Sequence, residues 1–229
     1  SLFDVDDSSM APPDYVKVPP WTDKQRLTEE KLALGFYLSG HLFNSYAGEV
    51  RRFIRTKLSE LSPSREPRMM AGVIAGVRTQ MTQRGKIFIV QLDDGTAVVE
   101  VSVPGDLVEE HKSWFKDDEF LAVQGKVSED RFNGGVRISA DKAWDIIAAR
   151  THYGRSVSMS LPGSVDVAKL REVLTPYRQP DGLPLNLRYR AVSAECEISL
   201  GDHWRVAPAD ALQMALRDQL GAQQVAIEY

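Results

Sequence analysis

The feature that most constrains this fold is a run of five strand-like segments between residues 70 and 146. Apolar and β-branched residues recur in them with the period of strands, and an Arg-Gly and an Asp-Gly pair mark the first two turns. A helix-like connection, GDLVEEHKSWF, stands between the third and fourth segments. This arrangement is typical of an OB-fold barrel, which we predict over residues 68–148. The segments are MAGVIAGVRTQMT, KIFIVQL, TAVVEVSVP, EFLAVQGKV and GGVRISADKAWDI.

Two helical patterns precede the barrel segment. Thr22 and Gln25 have the arrangement of a capping box, at the start of a helix that the pattern extends to Gly40. The second pattern is strongly amphipathic and is predicted to end at Pro63. The two helices predict a hairpin over residues 22–67. The apolar positions of the second are Val50, Phe53, Ile54, Leu58 and Leu61.

The chain after the barrel is predicted to be a small α+β domain over residues 149–229. A helix carries Leu212, Leu216 and Leu220 on one face, and QVAIEY forms a last strand. Alternation with apolar neighbours suggests that Cys196 is a small buried residue. The domain is also predicted to contain a hairpin, in a register that places opposite charges across from each other and apolar residues across from each other. It pairs Arg190 with Glu195, Tyr189 with Cys196, Arg188 with Glu197 and Leu187 with Ile198.

The fold class that follows is a multidomain α+β chain with a helical hairpin, a five-stranded OB-fold barrel and a small C-terminal α+β domain. The chain has 28 Lys and Arg residues and 32 Asp and Glu residues, and residues 68–150 alone carry 11 basic and 13 acidic ones. Because phosphate affinity comes from clustered cations, any contact with nucleic acid should be local and weak.

Several classes of chemistry find no support in the sequence. One cysteine and four scattered histidines give neither disulfides nor a metal-ligand spacing. Asp93 and Asp94 stand directly before Gly95, where aspartate is the expected turn residue. No catalytic triad or phosphate loop can be assembled, so no catalytic residue is predicted in this chain. No apolar run is long enough to span a membrane, which predicts a cytoplasmic location.

The open face of the predicted barrel is the best candidate for a binding site. OB-folds bind single strands across their second and third strands, between the first–second and fourth–fifth loops. If Ile87 and Ile89 face the core, Phe88 is an exposed aromatic residue beside cations, able to stack on a base. The alternative is that Phe88 packs under a loop or another domain. The candidate nucleic-acid-binding residues are Arg84, Lys86, Phe88, Arg131, Phe132 and Asn133.

Three stretches of the sequence carry a family resemblance. LGFYLSGHLFNSY, the barrel stretch TQRGKIFIVQLDDGTAVVEVSV, and WRVAPADALQMALRDQLG with QVAIEY together resemble the C-terminal portion of the bacterial DNA polymerase III alpha subunits. The resemblance implies a barrel associated with single-stranded template and a C-terminal domain that docks the tau subunit of the clamp loader. It also implies that the parent is a Mg-dependent nucleotidyltransferase whose catalytic carboxylates lie outside this chain, which itself needs no cofactor.

The first residues match part of a further family motif. Ser1, Leu2 and Phe3 correspond to the last three positions of a clamp-binding pentapeptide, and the resemblance makes Leu2 and Phe3 its apolar anchors on the β sliding clamp. The first two positions of the motif are missing, so weak binding is expected. Residues 1–21 are otherwise rich in Asp, Ser and Pro and are predicted to be a flexible tail. The absence of an initiating Met agrees with a piece of a larger chain.

The favoured hypothesis is a non-catalytic part of a replicative DNA polymerase that contacts single-stranded template, tau, the clamp and the rest of the polymerase chain. A second hypothesis is a protein-interaction scaffold without nucleic-acid contact, which the acidic balance of residues 68–150 favours. A third is a tRNA-binding OB module. It fits the barrel but leaves residues 156–229 unexplained.

Overall fold

The structure is a computed structural model that falls into two compact units. The first ends at Gly40, and the second runs from His41 to Tyr229. Among the described residues, no helix is both long and apolar enough to cross a bilayer. The described residues are 18, 20–83, 85–130, 135–161, 166–190 and 195–229, without the side chain of Arg190.

Among its described residues, the first unit contains one helix, α1 (Asp23–Leu34). Its capping box is confirmed: the Gln25 backbone N–H donates to the Thr22 hydroxyl at 3.2 Å, and the Thr22 backbone N–H donates to the Gln25 side chain at 3.0 Å. Gly35 ends the helix in the left-handed conformation, with a φ of 85°. The predicted extension to Gly40 is therefore wrong.

The second unit opens with α2 (Asn44–Val50), an irregular stretch and a single 3-10 turn at Leu58–Glu60. The continuous helix predicted from Val50 to Leu61 is therefore wrong. Its apolar positions are nevertheless buried, because Val50, Ile54 and Leu58 are each at most 4% exposed.

The barrel accepts the hydrogen bonds that such a helix would have used internally. The backbone N–H of Leu58 donates to the Asp94 carboxylate at 3.0 Å, and that of Ser59 donates to the Thr96 hydroxyl at 3.3 Å. Both acceptors lie in the turn after the second barrel strand. These contacts favour an irregular backbone over a helix at this point.

Five strands form a closed barrel in the order β1-β2-β3-β5-β4. Strands β3 and β5 pair in parallel, and all the other pairs are antiparallel. A short helix, α3, stands between the third and fourth strands as predicted, so the OB-fold barrel is confirmed. The elements are β1 (Arg68–Thr82), β2 (Gly85–Asp93), β3 (Val98–Pro104), α3 (Gly105–Glu110), β4 (Phe120–Glu129) and β5 (Val136–Trp144).

Side chains from all five strands fill the barrel. Alternate residues of each strand point inward, as the pleat requires. We call this cluster the barrel core, and it includes Met70, Ile74, Val90, Leu92, Val101, Val103, Leu121, Val123, Val127 and Ile138.

The C-terminal domain is a four-stranded sheet in the order β10-β6-β8-β9, covered on one face by two helices. The helical face predicted from Leu212, Leu216 and Leu220 is buried as expected. A connecting helix, α4, joins this domain to the barrel. The elements are α4 (Ile146–Tyr153), β6 (Ser156–Leu161), α5 (Val167–Leu174), β7 (Arg178–Leu183), β8 (Leu185–Arg190), β9 (Glu195–Ser199), α6 (Asp210–Leu220) and β10 (Gln223–Glu228).

The register predicted for β8 and β9 is confirmed at all four pairs, from Leu187 opposite Ile198 to Arg190 opposite Glu195. The turn between them lies outside the described residues. The interpretation of Cys196 as buried is wrong. It lies on β9, an edge strand whose residues are all exposed, so strand alternation there does not imply burial.

Arg150 joins the barrel side of the second unit to the C-terminal domain. Arg150 is 4% exposed, and its guanidinium donates to both carboxylate oxygens of Glu49 at 2.7 and 2.8 Å. It also donates to the Pro208 carbonyl at 3.0 Å and forms an ion pair of 2.7 Å with Asp210. The Tyr229 hydroxyl donates to Glu49 as well.

Burial and the local charges act in opposite directions on the pKa of Arg150. Burial alone would lower that pKa, but the hydrogen bonds and charges of Glu49 and Asp210 outweigh it and raise the pKa above its usual value. Arg150 therefore stays charged. It ties α2, α4 and the start of α6 together.

Candidate nucleic-acid interface

A groove of about 700 Å³ crosses the outer surface of the barrel. It lies between the β1–β2 and β4–β5 connections, where OB-folds bind single strands. All five strands or their ends contribute to it. We call it the barrel groove, and its lining residues are Thr82, Gln83, Ile87, Ser102, Ser128, Arg137 and Ser139.

Strand pairing builds the floor of the barrel groove. Ser139 of β5 lies opposite both Ser102 of β3 and Lys126 of β4. Ser128 lies opposite Arg137, and its hydroxyl donates to the Arg137 carbonyl at 3.1 Å. Serine side chains are short and polar, so they keep the groove open and offer hydroxyls to a ligand.

Two exposed cations, Arg137 and Lys126, stand at this floor on neighbouring strands. Neither forms an ion pair with any residue that the structure describes. Arg78 on β1 differs, because its guanidinium donates to both oxygens of Glu100 at 3.0 and 3.2 Å. Arg137 and Lys126 are therefore the described barrel cations best placed to meet a phosphate in the groove.

The structure distinguishes between the two interpretations of Phe88 that the sequence left open. It packs against the barrel core on the same side of β2 as Val90 and Leu92, opposite the buried Val103 of β3. Ile87 is on the other side and lines the barrel groove. The structure therefore agrees with the alternative interpretation, in which Phe88 packs inward, and not with an exposed stacking residue: Phe88 is half-buried and shares the inward side of β2 with Val90 and Leu92.

Lys86 lies beside Phe88 and forms an ion pair with Glu109. Its Nζ is 4.8 Å from the centre of the Phe88 ring and 3.6 Å from a carboxylate oxygen of Glu109. The hydrogen bond and charge of Lys112, followed by the charge of Lys86, lower the pKa of Glu109. Lys86 is thus partly neutralised by Glu109.

The remaining candidates fall outside the described residues. They are Arg84, Arg131, Phe132 and Asn133, together with the clamp-binding residues Ser1, Leu2 and Phe3. The sequence analysis did not single out Arg137, Lys126 or the serines of the groove. The alternation of polar and apolar residues in VRISADKA would have placed Arg137 and Ser139 on the outer face of β5.

Two family models match separate parts of the chain. Residues 70–146 match the OB-fold nucleic acid binding domain, and residues 169–221 match the C-terminal domain of DNA polymerase III subunit alpha. The first match covers almost the whole barrel. The second covers most of the segment from α5 to the end of α6.

Whole-chain relatives agree with these matches. The DNA polymerase III subunit alpha of Neisseria meningitidis serogroup A is 37% identical over 232 residues, which is 100% of this chain and 20% of the relative. The Escherichia coli K12 subunit is 33% identical over 94% of this chain and 19% of its own length. This chain spans about a fifth of the length of these relatives.

Among solved structures, the second OB-fold domain of replication protein A from Methanococcus maripaludis is similar at 20% identity with a TM-score of 0.33. The match covers 40% of this chain and 93% of that one.

Proposed function

Because its sequence relates this whole chain to the DNA polymerase III alpha subunit family, we propose that it is a non-catalytic part of a replicative DNA polymerase whose barrel contacts single-stranded template. The barrel groove is the observation that supports this most directly. It lies on a domain that matches a nucleic-acid-binding family. It combines the lining cation Arg137 and a row of hydroxyls with Lys126, which lies beside it opposite Ser139.

The chemistry of the groove suits a single strand. Arg137 and Lys126 are placed to neutralise neighbouring phosphates, while Ser102 and Ser139 offer hydroxyls to phosphate or sugar oxygens. Ile87 supplies apolar surface for a base or a sugar. Two cations on an otherwise acidic barrel give weak binding, which becomes useful when the rest of a polymerase already holds the DNA.

A salt titration tests this proposal quantitatively. Fluorescence anisotropy with labelled oligo-dT at several salt concentrations should give a negative slope of log affinity against log salt. Each phosphate contact on a single strand contributes roughly −0.7 to that slope. Arg137→Gln should therefore weaken binding and make the slope less steep by about 0.7.

The control replaces a cation outside the barrel groove. Lys112 lies between α3 and β4 and pairs with Glu109 at 2.8 Å, so Lys112→Gln makes the same charge change and should leave the slope unchanged. Equal affinity and slope for wild type and Arg137→Gln would refute the groove as the template site. The absence of any salt-dependent binding would favour the protein-interaction scaffold.

The parent-level roles rest on the family relationship. We propose that the parent chain catalyses DNA-directed DNA synthesis with Mg, that the C-terminal domain docks tau, and that Ser1, Leu2 and Phe3 contribute to a clamp contact. Pull-down of purified tau by the whole chain, compared with a chain ending after residue 155, tests the tau contact. Equal capture of tau by both would exclude the C-terminal domain as its docking site.

A further inference from the structure

A second cleft, of about 530 Å³, lies between the barrel and the C-terminal domain at the far end of β5 from the barrel groove. The 3-10 turn before β4, the end of β5, α4 and β7 all contribute to it. Its volume is within the range of peptide- and ligand-binding sites. We call it the aromatic cleft, and its main lining residues are Trp114, Trp144, Asp145, Ile147, His152 and Asp181.

Two tryptophans of the cleft are held in place by histidines. Trp114 stacks on His111 with ring centres 3.7 Å apart, and Trp144 stacks on His152 with ring centres 5.1 Å apart. Both tryptophans are half-buried. Rings that are fixed before binding lose little entropy when a ligand arrives, which favours affinity.

The charge of the aromatic cleft is negative. Asp145 and Asp181 line it, and no Lys or Arg is among its described lining residues. One oxygen of Asp145 accepts from the Ala148 N–H at 2.7 Å and caps α4. Asp181 is exposed and makes no ion pair or side-chain hydrogen bond with any other described residue.

These features select one class of ligand. Two carboxylates repel the phosphates of nucleic acid, whereas a Lys or Arg side chain is attracted both by the carboxylates and by the faces of the tryptophan rings. Ile147 and Ala148 form an apolar surface beside them, suited to the aliphatic stem of such a side chain.

We propose that the aromatic cleft binds a basic, extended segment of a partner protein, with a Lys or Arg side chain held between Asp181 and a tryptophan ring. This site is separate from the barrel groove in both position and charge. This proposal can therefore be tested independently of template binding.

Selection of a phage-displayed library of random decapeptides on the immobilised whole chain tests the proposal. The expected result is enrichment of peptides with at least two net positive charges. Such a peptide, made synthetically, should change the tryptophan emission of the protein on binding. Asp181→Asn should weaken its binding about five- to tenfold, since it removes one charged partner.

Asp141→Asn is the matched control, because Asp141 is an exposed carboxylate on β5 outside the cleft. It should bind the peptide like wild type, and so should Arg137→Gln. Enrichment of peptides without basic residues, or equal binding by wild type and Asp181→Asn, would overturn the proposal. Displacement of the peptide by oligo-dT from both wild type and Arg137→Gln would assign the cleft to nucleic acid instead.

Discussion

Asp94 acts both within its own turn and across the fold. One carboxylate oxygen accepts from the Thr96 and Ala97 N–H groups at 2.9 and 3.2 Å, and the other accepts from the Leu58 N–H at 3.0 Å. The sequence predicts the turn, because the Asp-Gly step is a local signal. It does not predict Leu58 as a donor, because that residue is 36 positions away.

The pKa of Asp94 makes this contact testable by pH. Burial raises that pKa, but the hydrogen bonds from Thr96, Leu58 and Ala97 outweigh it, so the pKa of Asp94 in the folded protein lies below its ordinary value of 3.8. The stabilisation is therefore present above the unfolded pKa and is lost as the pH falls through the folded one.

We expect Asp94→Asn to lower the free energy of unfolding by about 1–3 kcal/mol at pH 7. Urea denaturation of both proteins between pH 7 and pH 2 should show this difference shrinking below about pH 4. Asp141→Asn, at an exposed position on β5, should change the free energy of unfolding at pH 7 by at most about 0.5 kcal/mol. A difference that stays constant down to pH 2 would contradict the role of the charged carboxylate.

Arg150 should be among the most sensitive residues of the chain. Arg150→Met leaves the largely buried carboxylate of Glu49 without its cation, and breaking a buried pair in this way costs about 3–5 kcal/mol. Chemical denaturation should detect this loss, while Arg155→Met at an exposed position should change stability by at most about 0.5 kcal/mol. Equal stability of the two variants would refute the central role of Arg150.

At the scale of elements, the irregular segment between α2 and β1 shows how far periodicity can be trusted. Apolar residues at helical spacing correctly predict that Val50, Ile54 and Leu58 are buried. They do not predict a helix there, because backbone donors at Leu58 and Ser59 bond to the barrel instead. Spacing reports which side chains point inward, whereas the hydrogen-bond partners decide the backbone conformation.

Strand β2 shows a different ambiguity. Its central residues Ile87, Phe88, Ile89 and Val90 are all apolar, so alternation cannot say which face is inside. The pairing in β1, β2 and β3 fixes Phe88 toward the barrel core. Strands β8 and β9, by contrast, carry alternating charges, and their register could be predicted pair by pair.

Gly125 of β4 provides a test of barrel packing. Gly125 follows a shift in the β4–β5 register, and a Cβ added there would overlap the backbone carbonyl of Ser139. Gly125→Ala should destabilise the barrel by about 1–3 kcal/mol or more, as overpacking does. Thermal or urea unfolding measures the change.

Gly48 in α2 is the matched control. A Cβ there would meet no atom within 4 Å, so Gly48→Ala should stabilise the protein by roughly 0.5–1 kcal/mol through helix propensity. If Gly125→Ala did not destabilise the protein, the close approach of β4 and β5 at this point would be wrong.

At the scale of the whole molecule, the sequence predicts the parts better than their connection. The barrel and the C-terminal α+β domain follow from local periods and turns, and the two family-model matches fall on the same two parts of the chain. The link through Arg150 does not follow, because its partner Glu49 is 101 positions away. The sequence does not predict the aromatic cleft either, because its lining residues come from separate elements.

The exposed edge strand β9 has a practical consequence for the labelling of this chain. Cys196 is the only cysteine in the sequence, and it stands exposed on that strand. A maleimide dye will therefore attach to these 229 residues at one defined place without any substitution. Energy transfer from that dye to a labelled oligonucleotide or to a labelled peptide would report the distance from β9 to a ligand bound on this chain.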